Sequence, residues 1–126
     1  MSTESNPRDL VFIVDDDEGV RSALKMLVRS LGLRSKAFGS GEEFLEAYDG
    51  CEGRCVLLDV RMPGMSGFEV RQQLEAIDAP LPVIFLTAQG EEDVPVWIGP
   101  VERIQKPFRD DVLVSRIREL ADDSDG

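Results

Sequence analysis

Apolar residues follow two different spacings along the chain. Three short runs are apolar throughout, LVFIV at 10–14, CVLL at 55–58 and PVIFL at 82–86, and they have the length and composition of strands buried on both faces. In residues 18–32 the apolar positions recur at the spacing of one face of a helix. Strand and helix patterns therefore alternate, and this alternation predicts a parallel sheet covered by helices on both faces.

Less regular segments complete this pattern. Residues 33–38 and 101–104 predict two further strands that carry charged side chains. Two capping-box sequences of the form Ser-x-x-Glu begin at Ser40 and Ser66, and each indicates the start of a helix. The predicted helices are residues 18–32, about 40–48, about 66–77 and about 109–121.

The charged strands indicate the order of the sheet. Strands in the middle of a parallel sheet are buried on both faces, whereas charged residues are tolerated at its edges. Residues 33–38 and 101–104 are therefore the predicted edge strands. The predicted fold class is α/β, with a doubly wound, flavodoxin-like sheet of five parallel strands in the order 2-1-3-4-5.

Length and charge restrict what the chain does. Its 126 residues fit one domain, expected at 10–121, between a flexible N-terminus at 1–9 and an acidic tail at 122–126. The net charge of −11 argues against nucleic acid or an anionic membrane as a direct partner, since phosphates would be repelled. Without a membrane-spanning apolar stretch or a signal peptide, we expect a cytoplasmic location. We expect no further domain after residue 121, unless one is supplied by another chain or has been removed, and therefore a function that depends on protein contacts.

The chain contains no histidine. This excludes catalysis by an imidazole base, imidazole metal ligands and a phosphohistidine on this chain. The two cysteines, Cys51 and Cys55, are too few for a zinc site. We interpret them as a loop thiol and a small core residue.

The predicted strand order brings a set of carboxylates to one crevice. Ligands of doubly wound sheets bind beyond the carboxyl ends of the strands where the winding reverses, here between the first and third strands. Asp15, Asp16 and Asp17 follow the first strand, and Asp59 follows the third. Such carboxylates repel one another unless a cation lies among them, and oxygen ligands alone favour Mg²⁺. Asp17 has an alternative role, because an aspartate before a helix is commonly its N-cap.

Two further polar residues follow strands at the same edge. The fourth strand leads into Thr87 and the fifth into Lys106. A hydroxyl donor and an ammonium group beside a metal-bound carboxylate suit a phosphoryl group in transfer. We interpret Gly64 and Gly67 as turn residues and not as a phosphate-binding loop.

These residues give the chain a resemblance to the receiver domains of two-component response regulators. The motifs VDDD, LLDVRMPGMSG, FLTA and QKPF occur in the order of that family, and the resemblance covers residues 10–121. It implies that Asp59 is the phosphoacceptor. It also implies that Thr87 and Lys106 supply the hydroxyl group and the cation that contact the phosphoryl group.

The resemblance also implies a metal site, with Mg²⁺ as the cofactor. Asp16 would bind the ion directly, and Asp15 would act mainly through water. Asp59 and the backbone carbonyl of Arg61 would complete the ligand set. In this family the peptide bond before the residue that matches Pro107 is typically cis.

The implied function is a phosphoacceptor switch. Such a switch has a regulatory role and catalyses only its own phosphorylation and dephosphorylation. A sensor histidine kinase or a histidine phosphotransfer protein would donate the phosphoryl group, and the acyl phosphate would later hydrolyse. An added charge of about −1.5 to −2 would draw Thr87 and Lys106 toward it and change the surface near strands four and five. The expected downstream partner is a protein, and a phosphorylation-dependent dimer is compatible with this function.

The segment between Thr87 and Lys106 departs from the family. It is shorter than usual, and its two prolines and two glycines oppose a regular helix. We therefore expect the fourth helix to be absent or reduced to a turn. Trp97 either covers core that the lost helix leaves open or anchors a partner. Arg103 stands where many members of the family have an aromatic residue.

Two alternatives remain open at the level of the sequence. A receiver-like module would act through protein contacts without being phosphorylated, and the unusual 88–105 segment favours this alternative. A haloacid-dehalogenase-like phosphatase has similar groups around its sheet, and Asp110 and Asp111 would then supply part of its acidic set. Its nucleophile ends the first strand, which Asp15, Asp16 and Asp17 superficially allow. Acidic residues at a helix start, however, commonly interact with the helix dipole, and the chain lacks room for the later strand and the cap of such an enzyme.

Overall fold

The computed structural model describes residues 9–50, 53–87, 102–106 and 109–125, which form five strands and four helices. The strands are β1 (Leu10–Val14), β2 (Arg34–Phe38), β3 (Cys55–Asp59), β4 (Val83–Thr87) and β5 (Glu102–Gln105). The helices are α1 (Glu18–Ser30), α2 (Gly41–Ala47), α3 (Gly67–Ala76) and α4 (Asp110–Asp125).

The strands form one parallel sheet in the order β2-β1-β3-β4-β5, which confirms the predicted topology. β1 and β3 are buried along their whole length, whereas the side chains of β2 are exposed or half-buried. Charged residues are tolerated in β2 because it is an edge strand. β1 pairs with β3 as far as Val14, which lies opposite Leu58. Asp15 and Asp59 therefore follow side by side at the carboxyl edge of the sheet.

Two hydrophobic clusters cover the two faces of the sheet. Successive strand residues point to opposite faces, so Phe12 belongs to one cluster and Ile13 to the other. The first cluster includes Phe44 from α2 and extends to α3. The second includes Leu24 from α1 and Ile117 from α4. The sheet is therefore covered by apolar side chains on both faces, and its carboxyl edge presents a row of polar groups.

Serine caps set the first residues of α2 and α3. At α3, Ser66 and Glu69 form the complete predicted capping box, with both reciprocal hydrogen bonds present. At α2, the Ser40 side chain accepts a hydrogen bond from the backbone N–H of Glu43, but the Glu43 carboxylate accepts from Gly39 instead of Ser40. The capping box predicted at Ser40 is therefore incomplete, because the donor to the Glu43 carboxylate is one residue earlier than predicted.

Some elements end later than predicted. β3 includes one more residue and β4 both begins and ends one residue later, so Asp59 and Thr87 are the last residues of their strands. α4 continues to Asp125 and does not end near residue 121. No glycine or proline interrupts the sequence before Gly126, so nothing in the backbone opposes the additional turn.

Several predictions fall outside the described ranges. They concern the N-terminal residues, the helix between β4 and β5, and the residues Cys51, Trp97 and Pro107. Among the helices that are described, none has both the length and the apolar composition needed to cross a membrane.

Candidate functional site

Three carboxylates meet at the carboxyl edge of the sheet. Asp15 and Asp16 follow β1, and Asp59 is the last residue of the neighbouring strand β3. One carboxylate oxygen from each residue lies within 4.8 Å of the other two. Asp15 is completely buried, Asp59 is 5% exposed and Asp16 faces solvent. The fold thus brings together the carboxylates that the sequence assigned to this edge.

The ammonium group of Lys106 lies among these carboxylates. Its Nζ atom is 2.8 Å from Oδ2 of Asp15 and 3.3 Å from Oδ1 of Asp59. The backbone N–H of Lys106 donates to the carbonyl of Thr87, so the end of β4 positions the lysine. Burial, the largest single influence, lowers the pKa of Lys106, but the hydrogen bond to Asp15 and the charges of Asp59 and Asp15 outweigh it, and the pKa is raised. Lys106 is therefore charged at neutral pH.

The carboxyl group of Asp59 has a raised pKa. Burial has the largest effect, the negative charge of Asp15 adds to it, and Lys106 acts in the opposite direction, with the result that the pKa is raised to about 7. A buried carboxylate loses its hydration, which disfavours the ionised form. In the absence of a bound cation, protonated and ionised Asp59 therefore coexist near neutral pH.

This set of donors fits a magnesium ion. Magnesium binds oxygen ligands, commonly one or two carboxylates, and keeps several water molecules. Asp15, Asp16 and Asp59 supply carboxylate oxygens at short mutual distances, and the exposure of Asp16 leaves space for water. A divalent cation would also neutralise the excess negative charge. These three side chains are the ones that would hold it.

Thr87 and Arg61, the other predicted site residues, lie next to the carboxylates along the chain or across the sheet. Asp59 is opposite Leu86, so Thr87 is one residue further along the adjacent strand, and it is 6% exposed. Arg61 follows Asp59 by two residues and has an exposed side chain. The Thr87 hydroxyl as a phosphoryl contact and the Arg61 carbonyl as a metal ligand stay predictions.

Asp17 is the N-cap of α1. Its carboxylate accepts hydrogen bonds from the backbone N–H groups of Gly19 and Val20, which confirms the N-cap interpretation. The N–H of Asp17 itself donates to Oδ1 of Asp15 at 2.9 Å. Arg21, in the same helix, donates to the carbonyl of Asp15 at 2.8 Å. The start of α1 therefore orients Asp15, and the part of Arg21 in this was not predicted.

Gly67 allows α3 to begin directly against Asp59. A Cβ atom at residue 67 would lie 2.3 Å from the carbonyl oxygen of Asp59, which no side chain tolerates. The N–H of Gly67 donates to the carbonyl of Val60. The interpretation of Gly67 as a turn residue is therefore wrong, since the close approach and not the backbone conformation requires glycine. Gly64, with φ of 79°, is the turn residue that was predicted.

The loop that follows Asp59 is held by α2. Glu42, in the first turn of α2, accepts a hydrogen bond from the N–H of Met65 at 3.2 Å. The Glu42 carboxylate also lies 2.8 Å from the position that a Cβ atom would take on Gly64. Sequence spacing contains no signal for this contact, because 23 positions separate Glu42 from Met65.

The remaining candidate residues lie in strands or in the first turn of a helix. Cys55 is a buried thiol whose pKa is raised to about 12 because burial disfavours the thiolate, which confirms its interpretation as a core residue. Arg103 lies in β5 opposite Phe85 and is exposed. Asp110 and Asp111 lie in the first turn of α4 and, within the described ranges, do not join the carboxylate cluster.

Comparison with known families identifies this arrangement. The family model of the response regulator receiver domain matches residues 11–118. The chain belongs to this family. The solved structure of FixJ-N superposes on this receiver domain with a TM-score of 0.76 at 36% identity, covering 90% of this chain and 93% of that one.

Curated relatives agree with this assignment. Nodulation protein W of Bradyrhizobium diazoefficiens is 38% identical over 120 residues, which are 91% of this chain and 52% of that protein. Response regulator protein TmoT of Ectopseudomonas mendocina is 39% identical over 119 residues, with 90% and 53% covered. The chain spans about half the length of the curated relatives it matches. Receiver domains of this family are phosphoacceptor switches in two-component systems, so neither alternative from the sequence is favoured.

Proposed function

We propose that this receiver domain accepts a phosphoryl group on Asp59 from a phosphohistidine of a sensor histidine kinase or of a histidine phosphotransfer protein. The observation that carries the proposal is the position of the Lys106 ammonium, 2.8 Å from Asp15 and 3.3 Å from Asp59. An anionic phosphoryl group approaches a carboxylate only where cations offset the repulsion. Lys106 supplies one such charge beside the acceptor.

Asp59 acts as the nucleophile. One of its carboxylate oxygens forms a bond to phosphorus while the bond from phosphorus to the histidine nitrogen breaks, and the electron pair leaves on the imidazole of the donor. Asp15, Asp16, Asp59 and the backbone carbonyl of Arg61 would hold a magnesium ion, which when bound would supply positive charge beside the transferred group. Hydrolysis of the resulting acyl phosphate by water returns the free carboxylate.

Lys106 and Thr87 contact the transferred group. Phosphorylation adds about −1.5 to −2 charges, which draws the Lys106 ammonium away from Asp15 and toward the new oxygens. The Thr87 hydroxyl donates a hydrogen bond to one of them. Since Lys106 follows β5 and Thr87 ends β4, both movements change the surface of the β4–β5 region.

Signalling then proceeds through protein contacts of that surface, either with a downstream target or in a phosphorylation-dependent dimer. The domain has a regulatory role and catalyses only its own phosphorylation and dephosphorylation. It acts in the cytoplasm. Its net charge of −11 opposes direct contact with nucleic acid. Some relatives are named transcriptional regulatory proteins, and we assign any DNA contact in such proteins to parts outside the matched half.

Incubation with acetyl phosphate and Mg²⁺, followed by intact mass spectrometry, tests the proposal. The wild-type protein should gain one phosphate, and Asp59→Asn should gain none. Asp17→Asn is the matched control, because asparagine preserves the N-cap, and it should be phosphorylated like the wild type. Phosphate on Asp59→Asn, or none on a wild-type protein with native circular dichroism, refutes the proposal.

A further inference from the structure

Positive charge is concentrated in one part of this acidic chain. Residues 19–41 contain five of the 14 Lys and Arg residues and none of the 25 Asp and Glu residues. The five are Arg21, Lys25, Arg29, Arg34 and Lys36. Such segregation creates a local positive field on a molecule whose remaining surface repels anions.

Four of these five cations line one groove. The groove has a volume of about 750 Å³ and lies between α1 and the edge strand β2. Lys25 and Arg29 enter it from α1, and Arg34 and Lys36 from β2. We call this surface the basic groove. The fifth cation, Arg21, lies near the carboxylate site, where it donates a hydrogen bond to the carbonyl of Asp15.

The basic groove also contains apolar surface. Met26 lines it and is 73% exposed, the largest value among the exposed large hydrophobic residues of the described ranges. Leu10 and Leu33 contribute further apolar atoms. Exposed methionine adapts its shape to different partners. A mixture of cations and apolar atoms suits a peptide with acidic and apolar side chains better than it suits a bare chain of phosphates.

Three cations of the groove have no carboxylate partner among the described residues. In the part of the chain that the structure describes, no carboxylate lies within 4.0 Å of Lys25, Arg29 or Lys36. Elsewhere the same chain pairs its cations, as in the ion pairs of Arg71 with Glu75 and of Arg116 with Glu102. Acidic residues are abundant, so the lack of pairing at Lys25, Arg29 and Lys36 is a local feature.

The groove lies beside an edge strand of the sheet. Among the described strands, β2 pairs only with β1, and an edge strand is the part of a sheet to which an added strand binds. The groove reaches Leu10, at the amino end of β1. Asp59 lies at the carboxyl end of the parallel strand β3. The two surfaces are therefore separate.

We propose that the basic groove binds an acidic, extended segment of a partner protein. The segment adds to the edge of β2, with carboxylates on Lys25, Arg29 and Lys36 and an apolar side chain beside Met26. A short segment is favoured over DNA or an anionic membrane because the acidic surface around the groove repels longer polyanions. A symmetric pairing of two copies is disfavoured, because it would place one basic groove against another.

Protection of the sheet edge is the simpler explanation for part of this pattern. Charged side chains on edge strands oppose edge-to-edge aggregation, and this role alone would account for Arg34 and Lys36. It does not account for Lys25 and Arg29 on the helix, or for the exposure of Met26. Charge reversal separates the two roles, since glutamate protects an edge as lysine does but repels an acidic peptide.

The test uses two labelled peptides and two double variants of the whole chain. The acidic probe is a short fluorescein-labelled peptide of alternating Glu and Val, and the basic probe alternates Lys and Val. The groove variant is Lys25→Glu/Lys36→Glu. The control variant, Arg109→Glu/Arg118→Glu, makes the same charge change at exposed positions on or beside α4. Fluorescence anisotropy at low and at physiological salt measures the affinities.

We expect the wild type and the control variant to bind the acidic peptide with similar affinity, and the groove variant to bind it at least about tenfold more weakly. Higher salt should weaken binding to the wild type, and the groove variant should bind the basic peptide more tightly than the control variant does. Asp59→Asn should bind like the wild type, which separates this proposal from the phosphoacceptor function.

Three outcomes overturn the proposal. The first is no binding of the acidic peptide to the wild type. The second is an equal loss of affinity in the groove variant and the control variant. The third is that a DNA duplex or a phosphatidylserine vesicle binds through Lys25 and Lys36 while the acidic peptide does not.

Discussion

The Nζ atom of Lys106 lies 3.3 Å from Oδ1 of Asp59, although 47 positions separate the two residues in the sequence. The same atom is 2.8 Å from Oδ2 of the buried Asp15. One cation therefore connects the ends of β1 and β3 with the end of β5, an edge strand that is separated from β3 by β4. The contact exists only when the carboxyl edge of the sheet is assembled.

Replacement of Lys106 by methionine should destabilise the metal-free protein. Methionine keeps much of the side-chain length but leaves Asp15 and Asp59 without the ammonium between them. Loss of one partner from a buried pair costs about 3–5 kcal/mol. Because the Lys106 side chain is 23% exposed, we expect a smaller loss of about 1–3 kcal/mol in the free energy of unfolding at pH 8.

Urea unfolding in EDTA measures this loss. Lys25→Met is the control, because Lys25 is exposed, and its free energy of unfolding should change by less than about 0.5 kcal/mol. Equal losses in the two variants would mean that the position of the Lys106 ammonium has no particular importance.

The free energy of unfolding should also depend on pH through Asp59. The pKa of this carboxyl group is about 7 in the folded protein, above its ordinary value of 3.8. Folding therefore favours the protonated form. The resulting stability is fully present below about pH 4 and is lost as the pH rises through about 7. The loss across this window is at most about 4 kcal/mol.

Asp59→Asn isolates this effect, because asparagine does not titrate. We expect the difference in free energy of unfolding between the variant and the metal-free wild type to shift in favour of the variant between pH 4 and pH 8. Urea unfolding in EDTA at a series of pH values measures it. A difference that stays constant over this range would contradict the raised pKa.

Magnesium should stabilise the folded protein through the same carboxylates. An ion that binds only the folded state, at a hundred times its dissociation constant, adds about 2.7 kcal/mol to the free energy of unfolding. Asp16→Asn removes one ligand, and isothermal titration calorimetry should find the Mg²⁺ affinity lowered by about tenfold or more. Asp17→Asn should leave the affinity unchanged. If both variants bind Mg²⁺ like the wild type, Asp16 is not a ligand.

Gly67→Ala should disturb the acceptor. The added Cβ atom would lie 2.3 Å from the carbonyl oxygen of Asp59, so either α3 or the end of β3 must move. Overpacking of this kind costs about 1–3 kcal/mol, and a displaced Asp59 should be phosphorylated more slowly by acetyl phosphate. Thermal unfolding and the rate of mass gain measure the two effects.

Gly19→Ala provides the comparison for this variant. A Cβ atom there meets only Oδ1 of Asp17, at 3.2 Å, which is a side-chain atom and not part of the backbone at Asp59. Its phosphorylation rate should stay near that of the wild type. Wild-type stability and rate in Gly67→Ala would refute the requirement for glycine at the start of α3.

The strand order was predictable because burial leaves a direct mark on composition. β1 is apolar throughout and β3 is apolar up to Asp59, whereas β2 and β5 contain charged side chains and lie at the edges. The meeting of Asp15 and Asp59 followed from this order, since the carboxyl ends of neighbouring parallel strands share one edge. Helix starts were predictable from local capping residues such as Ser66.

Contacts between distant parts of the chain were not predictable in this way. The approach of Gly67 to Asp59 and the hydrogen bond from Met65 to Glu42 depend on how α2 and α3 are seated on the sheet. The basic groove was missed for another reason. Its charges are visible within residues 19–41, but the net charge of −11 conceals them until the fold places four of them on one surface.

The most direct test of the proposed function is to locate the phosphoryl group within the chain. Borohydride reduces the acyl phosphate of an aspartate to homoserine, which survives digestion. Trypsin cleaves after Arg54 and Arg61 and releases CVLLDVR, in which Asp59 is the only acidic residue. After treatment with acetyl phosphate and Mg²⁺, tandem mass spectrometry should find homoserine at position 59, and omission of Mg²⁺ should abolish it. Homoserine at another position, with an unmodified 55–61 peptide, would contradict the account.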